Sequence, residues 1–133
     1  MQIKFVSVMV PDQEAALQFY TNVLGFNKMA DISMGEYRWL TVTSPHGIDG
    51  VELVLEPLGF PPAQIYQKAL FEAGIPATAL ISNGIESDFK RLKERGVVFR
   101  GEPQRMGIIS VVVFEDTCGN LINLVQPHSN NAG

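Results

Sequence analysis

The sequence predicts an α+β fold in which two βαβββ modules form a curved mixed sheet around a cavity. Three observations predict it. An alternating strand at residues 3–10 runs into an acid-capped amphipathic helix, and a β-rich stretch closes on Val51-Glu52-Leu53-Val54. The same order returns from about Ala77 and closes on Ile122-Asn123-Leu124-Val125. Each module ends its helix on a glycine, Gly25 in the first and Gly96 in the second. A duplicated unit of this kind can pair its sheets around one shared cavity. The chain reads as a single domain over residues 1–133, with modules at about 1–58 and 75–127. A linker with a short helix, 59–74, joins them.

In the first strand Ile3, Phe5, Ser7 and Met9 alternate with Lys4, Val6, Val8 and Val10. The second set is mostly β-branched and suits packing under a helix. Both faces look covered, so the expectation is an interior strand. Pro11 stops it. Asp12 is placed to cap the next helix, since its carboxylate can accept from free first-turn amides. Ala15, Ala16, Phe19, Tyr20, Val23 and Leu24 form one apolar stripe at helical spacing. Gly25 stops that helix in a left-handed cap.

Residues 26–32 and 36–43 read as strands about a Ser33-Met34-Gly35 turn, and 51–55 as a fourth strand. A Pro- and Gly-rich connector leads to a short helix at about 63–73. The second module opens with a strand at 77–82. Ser82 or Asn83 is the expected cap of a helix with Ile85, Phe89 and Leu92 inward. Its acids come early and its bases late, matching the helix dipole. Strands follow at 97–100, 108–114 and 121–125, the last two joined by a tight loop through Asp116, Cys118 and Asn120. Asp116 and Asn120 are read as turn structure. The tail from Pro127 is read as polar and frayed.

At 133 residues, with 46% hydrophobic and 18% charged, the chain has the composition of one soluble domain with a real core. Net charge is −4 with both signs scattered, which argues against nucleic acid as a partner. The lone Cys118 permits no internal disulfide and reads as a small buried hydrophobe. No apolar run reaches the roughly 20 residues that span a bilayer, so no membrane partner is expected. The N-terminus is not patterned as a secretory signal. A cytoplasmic location follows by default.

Several stretches together resemble one family: Val10-Pro11-Asp12 leading into Ala16-Leu17-Gln18-Phe19-Tyr20, then Val23-Leu24-Gly25-Phe26. In the second module they are Leu92-Lys93-Glu94-Arg95-Gly96-Val97 and Phe114-Glu115-Asp116-Thr117-Cys118-Gly119-Asn120. The chain is similar over nearly its whole length to the vicinal oxygen chelate superfamily, which includes glyoxalase I, bleomycin and fosfomycin resistance proteins and extradiol dioxygenases. The resemblance implies paired βαβββ units around a cavity, and a homodimer whose cavities use modules from both chains.

Metal-dependent members of that family chelate a divalent ion from the inner faces of four strands. Such an ion needs several N or O donors within about 2.0–2.6 Å. The resemblance matches the first donor, seven residues before the capping Asp, to Phe5. The second falls on Ala77, with Thr78 as its neighbour, the third on Glu52 and the fourth on Asn123. One carboxylate and one amide remain, so no metal and no cofactor is expected; a divalent metal is the alternative. His46 sits in a loop and His128 in the tail, where solvated roles are expected.

The expected ligand-binding residues are Phe5, Ser7, Trp39, Thr41, Glu52 and Asn123, with Met9 as a further liner. Phe5 and Trp39 would form an aromatic wall, and Glu52 and Asn123 polar anchors facing each other. Glu52 is also the candidate catalytic residue, as a general base. The competing structural reading has Glu52 on a strand edge, paired with an arginine such as Arg38, and Trp39 and Phe5 as core. Arg105 and Met106 are candidates to close the cavity mouth, against a plain surface role.

The leading expectation is a metal-free protein binding a small organic molecule in a dimer cavity, as bleomycin-resistance members of the family do. Whether the chain is an enzyme stays open. The alternatives are a metal-dependent lyase, isomerase or dioxygenase, and a metal-independent enzyme using Glu52. A subunit with a vestigial cavity is a third.

Overall fold

The structure, a computed structural model, describes residues 1–129; the rest of the expected tail, residues 130–133, lies outside them. The chain runs β1 (Phe5–Val10), α1 (Gln13–Gln18), a π-helical turn (Phe19–Val23), β2 (Asn27–Met34), β3 (Tyr37–Thr43) and β4 (Glu52–Pro57). The second half runs α2 (Pro61–Glu72), β5 (Thr78–Ile81), α3 (Ile85–Glu94), β6 (Gln104–Met106), β7 (Ile109–Glu115) and β8 (Leu121–Pro127). The sheets are ordered β1-β4-β3-β2 and β5-β8-β7-β6, the same topology twice. In each the first and last strands of the module pair in parallel and the other pairs are antiparallel. The duplication is therefore real. The expected single curved sheet is two separate four-stranded sheets.

Local chemistry accounts for the elements. Asp12 accepts from the Ala15 N–H at 3.0 Å and caps α1. Pro61 and Pro62 open α2, where the absent N–H groups have no helical partner to lose. Ser82 does not cap α3 directly, because Gly84 holds that position. Ser82 instead accepts from the Gly84 N–H at 3.1 Å and donates to Asp88 at 2.5 Å, tying the turn to the helix.

Two expected strands differ. β1 is an edge strand, and its first apolar side chains, Phe5 and Val6, are about half exposed. Residues 97–100 make only one bridge, Phe99 with Phe114, and the second strand of module two is the short β6. Gly101, at φ +120°, turns the chain away, and Pro103 offers no ladder donor.

One face of each sheet packs under the helices. Val8, Val10, Leu40, Val42 and Leu55 from the first sheet share a core with Val112, Phe114, Ile122 and Leu124 from the second. The α1 stripe contributes Ala16, Leu17, Phe19 and Tyr20, and α3 contributes Ile85 and Leu92. Fully buried Asp116 pins the modules together. Its carboxylate accepts from Tyr20 Oη at 2.7 Å, the N–H groups of Cys118 and Asn120, and Asn120 Nδ2. Asp116 and Asn120 thus hold a turn, as read from the sequence. Burial, and then the Asp116 charge, hold the Tyr20 phenol well above its ordinary pKa and push the Cys118 thiol up to about 12.

Candidate ligand site on the open sheet face

Register decides which side chains share a face. Phe5 lies opposite Glu52 and Ser7 opposite Val54 across β1 and β4. Thr41 lies opposite Val54 across β3 and β4, and Ile32 opposite Trp39 across β2 and β3. Phe5, Ser7, Trp39, Thr41 and Glu52 therefore occupy one face of the first sheet, the face turned from the helices. Five of the six expected site residues come together there, beside Met9.

Glu52 is the buried polar centre of this face, 7% exposed, above fully buried Thr41. Thr41 Oγ1 donates to Glu52 Oε1 at 2.6 Å and accepts from the Ala30 N–H at 3.1 Å. That amide is free because the β2–β3 register shifts between Lys28 and Ala30, a bulge that turns a ladder donor toward a side chain. Lys4 Nζ lies 3.7 Å from Glu52 Oε2. Phe5 and Trp39 meet edge to face, with ring centroids 5.4 Å apart and planes at 80°.

Glu52 is not paired with Arg38. That guanidinium is taken by Asp31 at 2.7 Å and Glu14 at 3.3 Å, and its hydrogen bond holds the Asp31 carboxyl down to about 2. The partner of Glu52 is Lys4. Sequence reading assigned Lys4 to the opposite face, but it precedes β1, where strand alternation no longer fixes its direction.

Asn123 does not face Glu52. It stands in β8, opposite Ala79 and Val113, on the corresponding face of the second sheet. Its Oδ1 is buried without a hydrogen-bond partner. Met106 shares that face through its pairing with Ile109 and is 62% exposed, and Arg105 is also exposed. Neither closes a cavity in one chain. His128 differs from the solvated role expected of it. Its N–H reaches Ile108 O at 2.6 Å and its ring meets Ser110 Oγ at 2.7 Å.

The donor positions can now be compared with what a divalent ion requires. Phe5 stands opposite Glu52, and the residue standing so to Asn123 is Ala79 rather than Ala77 or Thr78. Thr78 pairs with Ile122 and belongs to the helix side. A benzyl group, a methyl group, one carboxylate and one amide do not fit a divalent ion. Among the described residues no three His, Cys, Asp or Glu side chains gather where they could hold a metal.

A model of the Glyoxalase/Bleomycin resistance protein/Dioxygenase superfamily matches residues 2–124. The chain belongs to that superfamily. It is 50% identical over 126 residues to the uncharacterized protein YurT of Bacillus subtilis (strain 168), covering 95% of this chain and 99% of YurT. Among solved structures, UcmS2 superposes with a TM-score of 0.81 at 31% identity, over 94% of this chain and 97% of that one. TnmS3, an antibiotic binding protein from Streptomyces sp. CB03234, superposes at 0.75 and 31% identity, covering 96% of each chain. Family membership supports the two-module architecture; the site's chemistry rests on the residues above.

Sequence reading missed one large feature. A cleft of about 970 Å³ lies between the modules, lined by residues of the 44–48 loop, β5 and α3. None of the six expected site residues lines it. No periodicity announces a gap between two elements that are each well formed.

Proposed function

We propose that this chain binds a small organic molecule, without a metal, in a cavity that two copies complete. The observation that carries this reading is the open face of the first sheet. It presents an aromatic pair over a buried carboxylate and hydroxyl, a combination suited to a planar or amphipathic ligand with a hydrogen-bonding group. The similarity to an antibiotic binding protein supports the ligand class. Surface area supports the second copy. The chain exposes 8344 Å², against roughly 6,900 Å² for a compact monomer of its mass. Phe5, Ile32, Met34 and Tyr37 on one sheet, and Ile81 and Met106 on the other, are all 47% exposed or more. No helix among the described residues is long and apolar enough to cross a membrane, and with a single cysteine a cytoplasmic location is consistent with this reading.

One observation favours a metal-independent enzyme as the second reading. Among the described residues Glu52 Oε2 accepts no hydrogen bond and has Lys4 Nζ at 3.7 Å, so a lone pair stays free for proton abstraction. Trp39 is the only tryptophan, so its fluorescence reports the site directly. Titration with a panel of polycyclic aromatic antibiotics should give saturable quenching, weakened about tenfold in Phe5→Ala. Glu52→Gln should weaken binding and reveal no turnover defect. Absence of quenching by any compound, or a turnover abolished by Glu52→Gln, would displace the binding reading.

A further inference from the structure

The duplication creates two equivalent junctions, and only one is filled. In each, the loop between a module's last two strands faces the strand-to-helix connection of the other module. At the first junction the loop through Cys118 and Asn120 is closed by α2. Gln67 Nε2 approaches Met9 O at 2.8 Å, Asn120 Oδ1 at 3.1 Å and Cys118 O at 3.2 Å. Asn120 Nδ2 adds a bond to Met9 O at 2.9 Å. At the second junction the 44–48 loop faces the β5–α3 connection across a gap. Among the described residues no second linker helix closes this junction, and the cleft of about 970 Å³ opens here.

The cleft has a definite chemical character. The half-buried side chains of Leu24, Phe26 and Leu80 give it an apolar wall. Its one carboxylate, Asp88, is already committed to Arg91 at 3.0 Å and Ser82 at 2.5 Å. The other arginine lining it is Arg95. Arg95 donates to the Val23 carbonyl at 2.7 Å and has no carboxylate partner among the described residues. A guanidinium so anchored keeps further N–H donors for an incoming anion. In a chain of net charge −4 this is a local reversal of sign.

We propose that this cleft is a second small-molecule site, taking an amphipathic anion whose apolar body lies on Leu24, Phe26 and Leu80 and whose acid group meets Arg95. The inference does not depend on the ligand of the open sheet face. The test uses the anionic dye 8-anilinonaphthalene-1-sulfonate and the neutral dye N-phenyl-1-naphthylamine. The sulfonate should bind saturably. Arg95→Gln should weaken it by at least about tenfold, and Arg95→Lys should retain most of the affinity. Binding of the neutral dye should be the same in all three proteins. The proposal is overturned by sulfonate binding that ignores Arg95→Gln, or that instead follows Trp39→Phe, which would put the dye on the sheet face. Sulfonate binding that appears only on dilution to monomers also overturns it, since a second copy would then own the cleft.

Discussion

At the scale of single residues, the fold depends on a few polar side chains whose partners lie far along the chain. Asp116 is fully buried with no cation paired to it among the described residues, and four donors converge on its side chain instead. Tyr20→Phe removes one donor and should cost about 1–3 kcal/mol in urea denaturation, with the fold retained. Asp31 carries a pH signature. Arg38 lowers its folded carboxyl to about 2, below the roughly 3.9 of an unfolded chain. A depressed carboxyl stabilises above the unfolded value and stops doing so as pH falls through the folded one. Thermal melts of Asp31→Asn should therefore fall below wild type at pH 5–7 and converge with it between about pH 4 and 2. Loss of stability that is constant across that range would assign Asp31 a packing role instead.

At the scale of elements, α2 is the least embedded part of the fold. None of its residues is buried, and Phe60 before it, with Ile65 and Tyr66 within it, is more than 60% exposed. Gln67 is its main polar tie to both modules. Gln67→Ala should speed amide exchange across residues 61–72 while leaving β3 and β7 protected, because local opening follows local contacts. The strands and helices themselves were largely legible. Alternation, the Asp12 cap and the closing glycines each state a local preference, and local preferences agreed with the final topology. Residues 97–100 mislead because their composition favours a strand, while Gly101 and Pro103 beyond them deny it a ladder. The site was legible to the extent that register could be counted. Phe5, Ser7, Trp39, Thr41 and Glu52 follow from strand parity, whereas the distance of Asn123 from Glu52 depends on how two sheets are set, which parity does not encode. Lys4 and the cleft at Arg95 belong to the same class, since both arise where an element ends and its periodicity stops.

For the whole molecule, the duplicated module produces two open sheet faces that one chain leaves uncovered. In the proposed assembly, one event would cover the large apolar side chains on both faces and reduce a surface well above that of a compact monomer: association of two copies. The proposed ligand cavity and the proposed dimer are therefore one claim. Native mass spectrometry of untagged wild-type protein, incubated with the antibiotic panel, tests it most directly. The account predicts a species of twice 14.6 kDa that takes up organic molecules and carries no zinc, nickel or manganese. A monomer alone, or a dimer holding a stoichiometric metal ion, would contradict it.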